Sequence, residues 1–300
     1  MPNKLFDTEA YLKEVTLMND YFMNICLDNN IPCAQAMLTR ILGRHDLNIT
    51  KVETQKKLPG LGRELILDVH AEETRYSICG DGALNVYNME VQNDDRGAGA
   101  KRLRYHCGML DVYHLKKGQT FDELPETYVI FITKNDILKR GKTMYTISRY
   151  IDGTNERFED GQHLVYVNCS AENDGSEVWK LIHDMTCKNA DELLIPELAD
   201  RVGYFKDTQK GRLQVDEYFD AIFNAERAEG REEGREEGRE EGRAEGRAEG
   251  RAEALKKAKR EKEGFVSKFI KEGIMTLEKI AEMFEMPLTE VQALARKVKA

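Results

Sequence analysis

The chain has 300 residues, 41% hydrophobic and 33% charged, with 54 acidic against 45 basic side chains and a formal net charge of −9. That length suits one sizeable α/β domain with an appendage, and the acidity argues against a protein that coats nucleic acid everywhere, while leaving room for a local basic groove. No run of about 18 apolar residues occurs, against a membrane span, and the start MPNKLFDTEAYLKEV lacks the apolar region of a secretory signal, so a cytoplasmic location is expected.

Met18 to Leu42 reads as helix, with a break near Pro32. Leu65 to Ala71 and Leu84 to Gln92 read as strands, and Gly97 to Leu115 as a helix entered through a glycine-rich lead-in. Tyr128 to Thr133, Met144 to Tyr150 and Leu164 to Cys169 are β-branched and aromatic enough for further strands, and Glu177 to Met185 for a covering helix. Strands and helices in this order predict an α/β sheet flanked by helices. The six cysteines show no CxxC pair and no metal-type spacing, and read as reduced thiols. His106, His114 and His183 have no paired spacing with acids or cysteines, and read as packing or surface residues.

Residues 1–224 form the candidate domain, 225–254 a low-complexity segment, and 255–300 a helical tail. The segment repeats a tetrapeptide of the form EEGR, with glycine at every fourth position from Gly230 to Gly250. Six glycines cost a helix about 6 kcal/mol relative to alanine, and like charges stack at i,i+4. A solvated linker is therefore expected, with a marginal helix, or one that packs its glycine stripe on a partner, as the alternatives. In the tail, Leu277, Ile280, Ala281 and Phe284 share one helical face, and Pro287 ends that segment. Thr289 and Gln292 have the spacing of a capping box for a second helix with Val291, Leu294 and Val298 on its apolar face. Two short helices at this spacing resemble a helix-turn-helix, although Glu285 and Met286 stand where the turn glycine is usual. A plain αα-hairpin supporting homo-oligomerisation is the alternative.

The chemistry concentrates at Asp68, which ends an apolar strand, and at Glu90-Val91-Gln92. Period-two alternation sets Tyr87, Met89 and Val91 on one face and Asn88, Glu90 and Gln92 on the other. If the two strands pair, Asp68 and Glu90 converge, and carboxylate oxygens favour a hard cation such as Mg²⁺ or Mn²⁺. Just beyond lies a basic cluster, Arg96, Lys101, Arg102 and Arg104, placed to meet phosphate at the start of a helix.

LMNDYFMNICLDN, LILDV, NMEVQ, KRLRYHCGMLD and YVIFIT, in that order, resemble the Rpn-type recombination-promoting nucleases, the PD-(D/E)XK family transposases, over about residues 15 to 205. The resemblance implies a restriction-endonuclease-like mixed sheet and Mg²⁺-dependent hydrolysis of DNA phosphodiesters. Asp68 matches the strand-end aspartate, Glu90 the acid of the E-x-K/Q element, and Gln92 the position where the wider superfamily has lysine. Asp68 and Glu90 are thus the implied metal ligands and Gln92 their catalytic neighbour. The resemblance also points to Arg102 and Tyr105, beside Lys101, for DNA phosphate, and to Asp20 as a further acid, whose bland reading is a helix N-cap. The link RYSICGDGALN between the two acidic strands is longer than a tight hairpin, which leaves the register of Asp68 the less certain of the two. The rival expectation is a DNA-binding or oligomerising module that keeps the fold without turnover.

Overall fold

A computed structural model describes residues 6–60, 64–76 and 82–299 of the chain. By internal contacts it divides into two units, Met1–Ala221 and Ile222–Ala300. The first holds a six-stranded mixed sheet in the order β1-β2-β3-β4-β6-β5, where β1 is Ile49–Leu58, β2 Leu65–Tyr76, β3 Gly82–Gln92, β4 Glu126–Thr133, β5 Met144–Ile147 and β6 Gln162–Asn168. Strands β1, β2 and β3 pair antiparallel, β3, β4 and β6 pair parallel, and β5 returns antiparallel on β6. β3 is thus the strand at which the sheet changes sense.

Parallel neighbours need a crossover, and α4 (Ala100–His114) supplies it between β3 and β4. Its Leu103, Cys107 and Leu110 pack with Leu58, Leu67, Val86, Val129, Phe131 and Tyr166 into one core layer. Helices α1 (Thr8–Glu14), α2 (Asp20–Leu27), α3 (Ile31–Leu42), α5 (Glu177–Thr186) and α6 (Pro196–Asp207) complete the first unit. Of these, α2 and α3 meet β1 and α5 meets β6.

The 18–42 stretch breaks near Pro32 as expected, into two helices, and the break precedes the proline. Asp28 ends α2, while Asn30 caps α3 by accepting from Cys33 N–H, with the proline in the first turn, where its missing N–H costs nothing. β1, α1 and α6 have no counterpart in the sequence reading. ITKVETQKKL is polar because β1 is an edge strand, with only Ile49, Val52 and Leu58 buried. The helix after β3 starts at Ala100, behind a short 3₁₀ turn at Asp95–Ala98.

Residues 225–254 lie within a single 64-residue helix, α7 (Gln209–Glu272), and are exposed throughout, so the segment is helical rather than a solvated linker. Two things outweigh the glycines. Val215 and Phe219 are buried near one end and Val266 near the other, so packing nucleates the helix at both ends. The repeat also sets opposite charges at i,i+3, as in Arg235–Glu232 at 3.4 Å. Gly273, at φ 66, terminates the helix.

In the second unit the end of α7 packs with α8 (Leu277–Met283) and α9 (Leu288–Lys299) around Val266, Ile280, Ala281 and Val291. α9 begins one residue before Thr289, and its first turn is closed by Glu290 and Val291 N–H donating to the Pro287 carbonyl, so Thr289 is not its cap. Where the turn glycine is missing, Glu285 itself takes the left-handed conformation, at φ 45. Among the described residues no helix is long and apolar enough to cross a membrane.

Candidate active site

The β2–β3 ladder runs from Tyr76 opposite Gly82 to Val69 opposite Met89. Residues 77–81 of the long link lie outside the described residues, but the register on either side brings Asp68 and Glu90 together. Past Val69 the two carboxylates take over from backbone pairing. Asp68 N–H donates to Glu90 Oε1 (3.1 Å), and Val91 N–H donates to Asp68 Oδ2 (3.0 Å). Each acid thus fixes the other's strand.

Glu90 is fully buried. The alternation expected along β3 holds, yet its polar face is not a solvent face, because α4 covers it: Asn88 is 0% and Gln92 9% exposed. Glu90 Oε2 has no hydrogen-bond partner. Burial, and then the neighbouring Asp68 charge, push the Glu90 pKa well above the ordinary range. Burial likewise raises Asp68 to about 6, against the Val91 N–H bond that lowers it, with Asp20 adding a further upward push. Two carboxylates here resist being charged together.

α4 closes the site from above. Arg102 Nη2 lies 3.9 Å from Glu90 Oε2, with the arginine side chain 44% exposed, and Arg102 Nη1 donates to Gln92 Oε1 (3.2 Å). Gly97 makes this approach possible: a Cβ there would collide with the Gln92 carboxamide oxygen and press on the Arg102 guanidinium. The glycine-rich lead-in is therefore a close-contact requirement at Gly97 rather than a flexible tether. One turn beyond Arg102, His106 is fully buried, with Nδ1 3.6 Å from Glu90 Oε1 and 3.0 Å from Asn88 Nδ2. Burial, and then Arg102, lower His106 to about 4, so its imidazole is neutral at pH 7.

The structure thus brings Asp68, Glu90, Gln92 and Arg102 together. Asp20 is the first residue of α2 rather than its cap, which is Asn19, bonded to Phe22 N–H. Asp20, Asp68 and Glu90 do not gather within 4.8 Å of one another, and Asp20 acts on Asp68 through its charge. Lys101 is exposed on the first turn of α4, and Tyr105 is 39% exposed on the next. Asn88 lies on the face of Glu90, as the alternation along the strand set it. Sequence reasoning missed His106 as a neighbour of the acid, although it stands four residues after Arg102, hence on the same helical face.

Mg²⁺ and Mn²⁺ take oxygen ligands. A buried carboxylate oxygen without a partner, beside a second carboxylate whose charge it repels, is a donor set that such a cation completes, so the residues fit the ion. No family model, curated protein or solved structure matches this chain.

Proposed function

We propose that the chain is a divalent-metal-dependent DNA endonuclease of the PD-(D/E)XK type, recombination-promoting and transposase-like, on a restriction-endonuclease-like sheet. The observation that carries this reading is the buried Glu90 oxygen beside Asp68 that has no hydrogen bond and meets only a guanidinium 3.9 Å away, itself reaching solvent. Asp68 and Glu90 would hold Mg²⁺ or Mn²⁺. When bound there, such an ion supplies Lewis acidity and a water of lowered pKa. The chain's own groups do the rest. Gln92 fixes the Arg102 fork and helps orient the attacking water. Arg102, with Lys101 and Tyr105 along the exposed side of α4, grips the phosphate backbone, a task suited to a planar bidentate donor. The neutral His106 keeps a second positive charge away from Glu90.

The test is nicking of supercoiled DNA with Mg²⁺ or Mn²⁺, beside Asp68→Ala and Glu90→Ala. Cleavage that is metal-dependent and lost in both variants supports the reading. Salt-dependent DNA binding without cleavage in the wild type would instead leave a binding module without turnover. We further propose that the C-terminal helical region sets a homo-oligomer. Ending the chain before Ala225 is expected to lower the mass seen by light scattering while leaving cleavage nearly intact. Unchanged mass with lost cleavage would move the tail's role to DNA.

A further inference from the structure

We propose that His70, Glu72 and His114 form a second metal site, for a borderline-soft divalent ion of the Zn²⁺ class, that pins the end of α4 to β2. It goes beyond the nuclease reading and stands whether or not Asp68 and Glu90 act in cleavage. Among the described residues, these three are the only group of His, Cys, Asp or Glu whose ligand atoms, one from each, all lie within 4.8 Å of one another. His70 and Glu72 are alternate residues of one strand and so share a face, and His114 is the last residue of α4. Three donors from a strand and a helix therefore meet at one point.

The hydrogen bonding is incomplete in the way a ligand set is. His70 is fully buried and its Nδ1 has no partner, and the buried His114 Nε2 has none. Buried imidazole nitrogens are ordinarily bonded, because each orphan costs desolvation without return. His70 Nε2 lies 2.9 Å from Glu72 Oε1, and the two imidazoles stack with centroids 5.6 Å apart.

The donor chemistry separates this cluster from the carboxylate pair. Two imidazoles and one carboxylate suit a tetrahedral ion at about 2.0–2.2 Å with one position left open, whereas Mg²⁺ prefers oxygen. Lys56 Nζ stands 3.4 Å from Glu72 Oε1, which would oppose a cation. That ammonium is already held by Glu53 Oε2 at 2.9 Å, so Glu72 can turn to the ion without orphaning it. Glu72 is partly exposed and gives the ion a way in.

The full-length chain, stripped of metal, is titrated with Co²⁺ as an optical probe and then with Zn²⁺ or Mg²⁺. Expected are one Co²⁺ per chain with the intense visible d–d absorption of a tetrahedral site, displaced by Zn²⁺ but not by Mg²⁺ and distinct from any weakly absorbing Co²⁺ that Mg²⁺ displaces from Asp68 and Glu90, and a higher Tm with Zn²⁺. His114→Gln and Glu72→Gln, both at partly exposed side chains, should each lower the affinity at least about tenfold, since even partners of metal ligands cost that much. Glu90→Gln should leave it unchanged. The proposal is overturned by an absence of stoichiometric uptake, by a thiolate charge-transfer band marking a cysteine ligand, by affinity unchanged in either fold-competent variant, or by loss of uptake with Glu90→Gln.

Discussion

Strands β2 and β3 bury two glutamates, one on each face of the pair, and they are treated oppositely. Glu73 is 2% exposed and fully bonded: Tyr87 Oη donates to it at 2.6 Å, Asn85 Nδ2 at 2.8 Å, and Arg44 Nη2 and Asn48 N–H at 3.2 Å. Burial alone would raise its pKa, but those donors together bring it below the ordinary value. Glu90 receives one backbone N–H, keeps one oxygen without a hydrogen bond and with Arg102 no nearer than 3.9 Å, and has its pKa raised. Neither carboxylate reaches solvent, but Glu73 lies shallower, beside the partly exposed Arg44, so depth and bonding together separate the two. A carboxylate whose lone pairs the fold fills is part of the fold, and one whose lone pairs it leaves open is available to something else.

Exchanging the outcomes of two substitutions is the sharpest way to break that contrast. Glu73→Ala is expected to cost about 3 kcal/mol of stability in urea unfolding, because it strands Arg44, Asn85 and Tyr87 around an empty place. Glu90→Ala is expected to cost much less, yet to reduce metal-dependent nicking at least about a hundredfold. If Glu73→Ala leaves stability intact, or Glu90→Ala leaves nicking intact, the distinction between filled and open carboxylates fails.

Acidity gives a second handle. A folded-state pKa above the unfolded one means the native state holds its proton more tightly, so stability is highest at low pH and is lost as the group ionises. For Asp68 the window runs from its usual 3.8 to about 6, and for Glu90 it extends higher. Metal-free protein should therefore show these two groups lowering the Tm as pH rises through that window, by on the order of 5 °C. Asp68→Asn should flatten the slope, and Mg²⁺ should raise the Tm most at the alkaline end. A slope equal in wild type and Asp68→Asn would refute the assignment.

Smaller effects follow from α4. Gly97→Ala pushes Gln92 and Arg102 apart, and nicking is expected to fall on the order of tenfold with the secondary structure retained by circular dichroism. Arg102→Ala should weaken DNA binding and reduce the slope of log K against log salt by about one phosphate contact. An unchanged slope would mean that Arg102 serves Glu90 and Gln92 rather than DNA.

Much of the sheet was legible because its strands carry aromatic and β-branched runs, and the period-two pattern put Glu90 and Gln92 on one face correctly. The pattern could not say what covers that face, since α4 arrives from further along the chain. β1 was illegible for the same kind of reason: Ile49, Val52 and Leu58 are too few to mark a strand until β2 lies beside it. The repeat left linker and helix both open because glycine cost and like-charge stacking were weighed without the packing that holds α7 at its two ends. Asp68 and Glu90 could be named as a pair because each stands on a strand the pattern does reveal, while His70 and His114, 44 residues apart in sequence, gave no sign of meeting.

The polarity that hid β1 has a consequence for the protein's behaviour in solution. A ten-residue strand at the rim of a sheet offers a row of free backbone groups to any other extended chain, a template for fibres. Here the exposed Lys51 and Lys57 set charge along that rim, and Gln55 breaks its extended course at φ 52. At the other rim, β5 is only four residues long. Both rims are thereby poor sites for strand addition, and replacing those two lysines by valine would be expected to turn a dispersed protein into one that precipitates on warming.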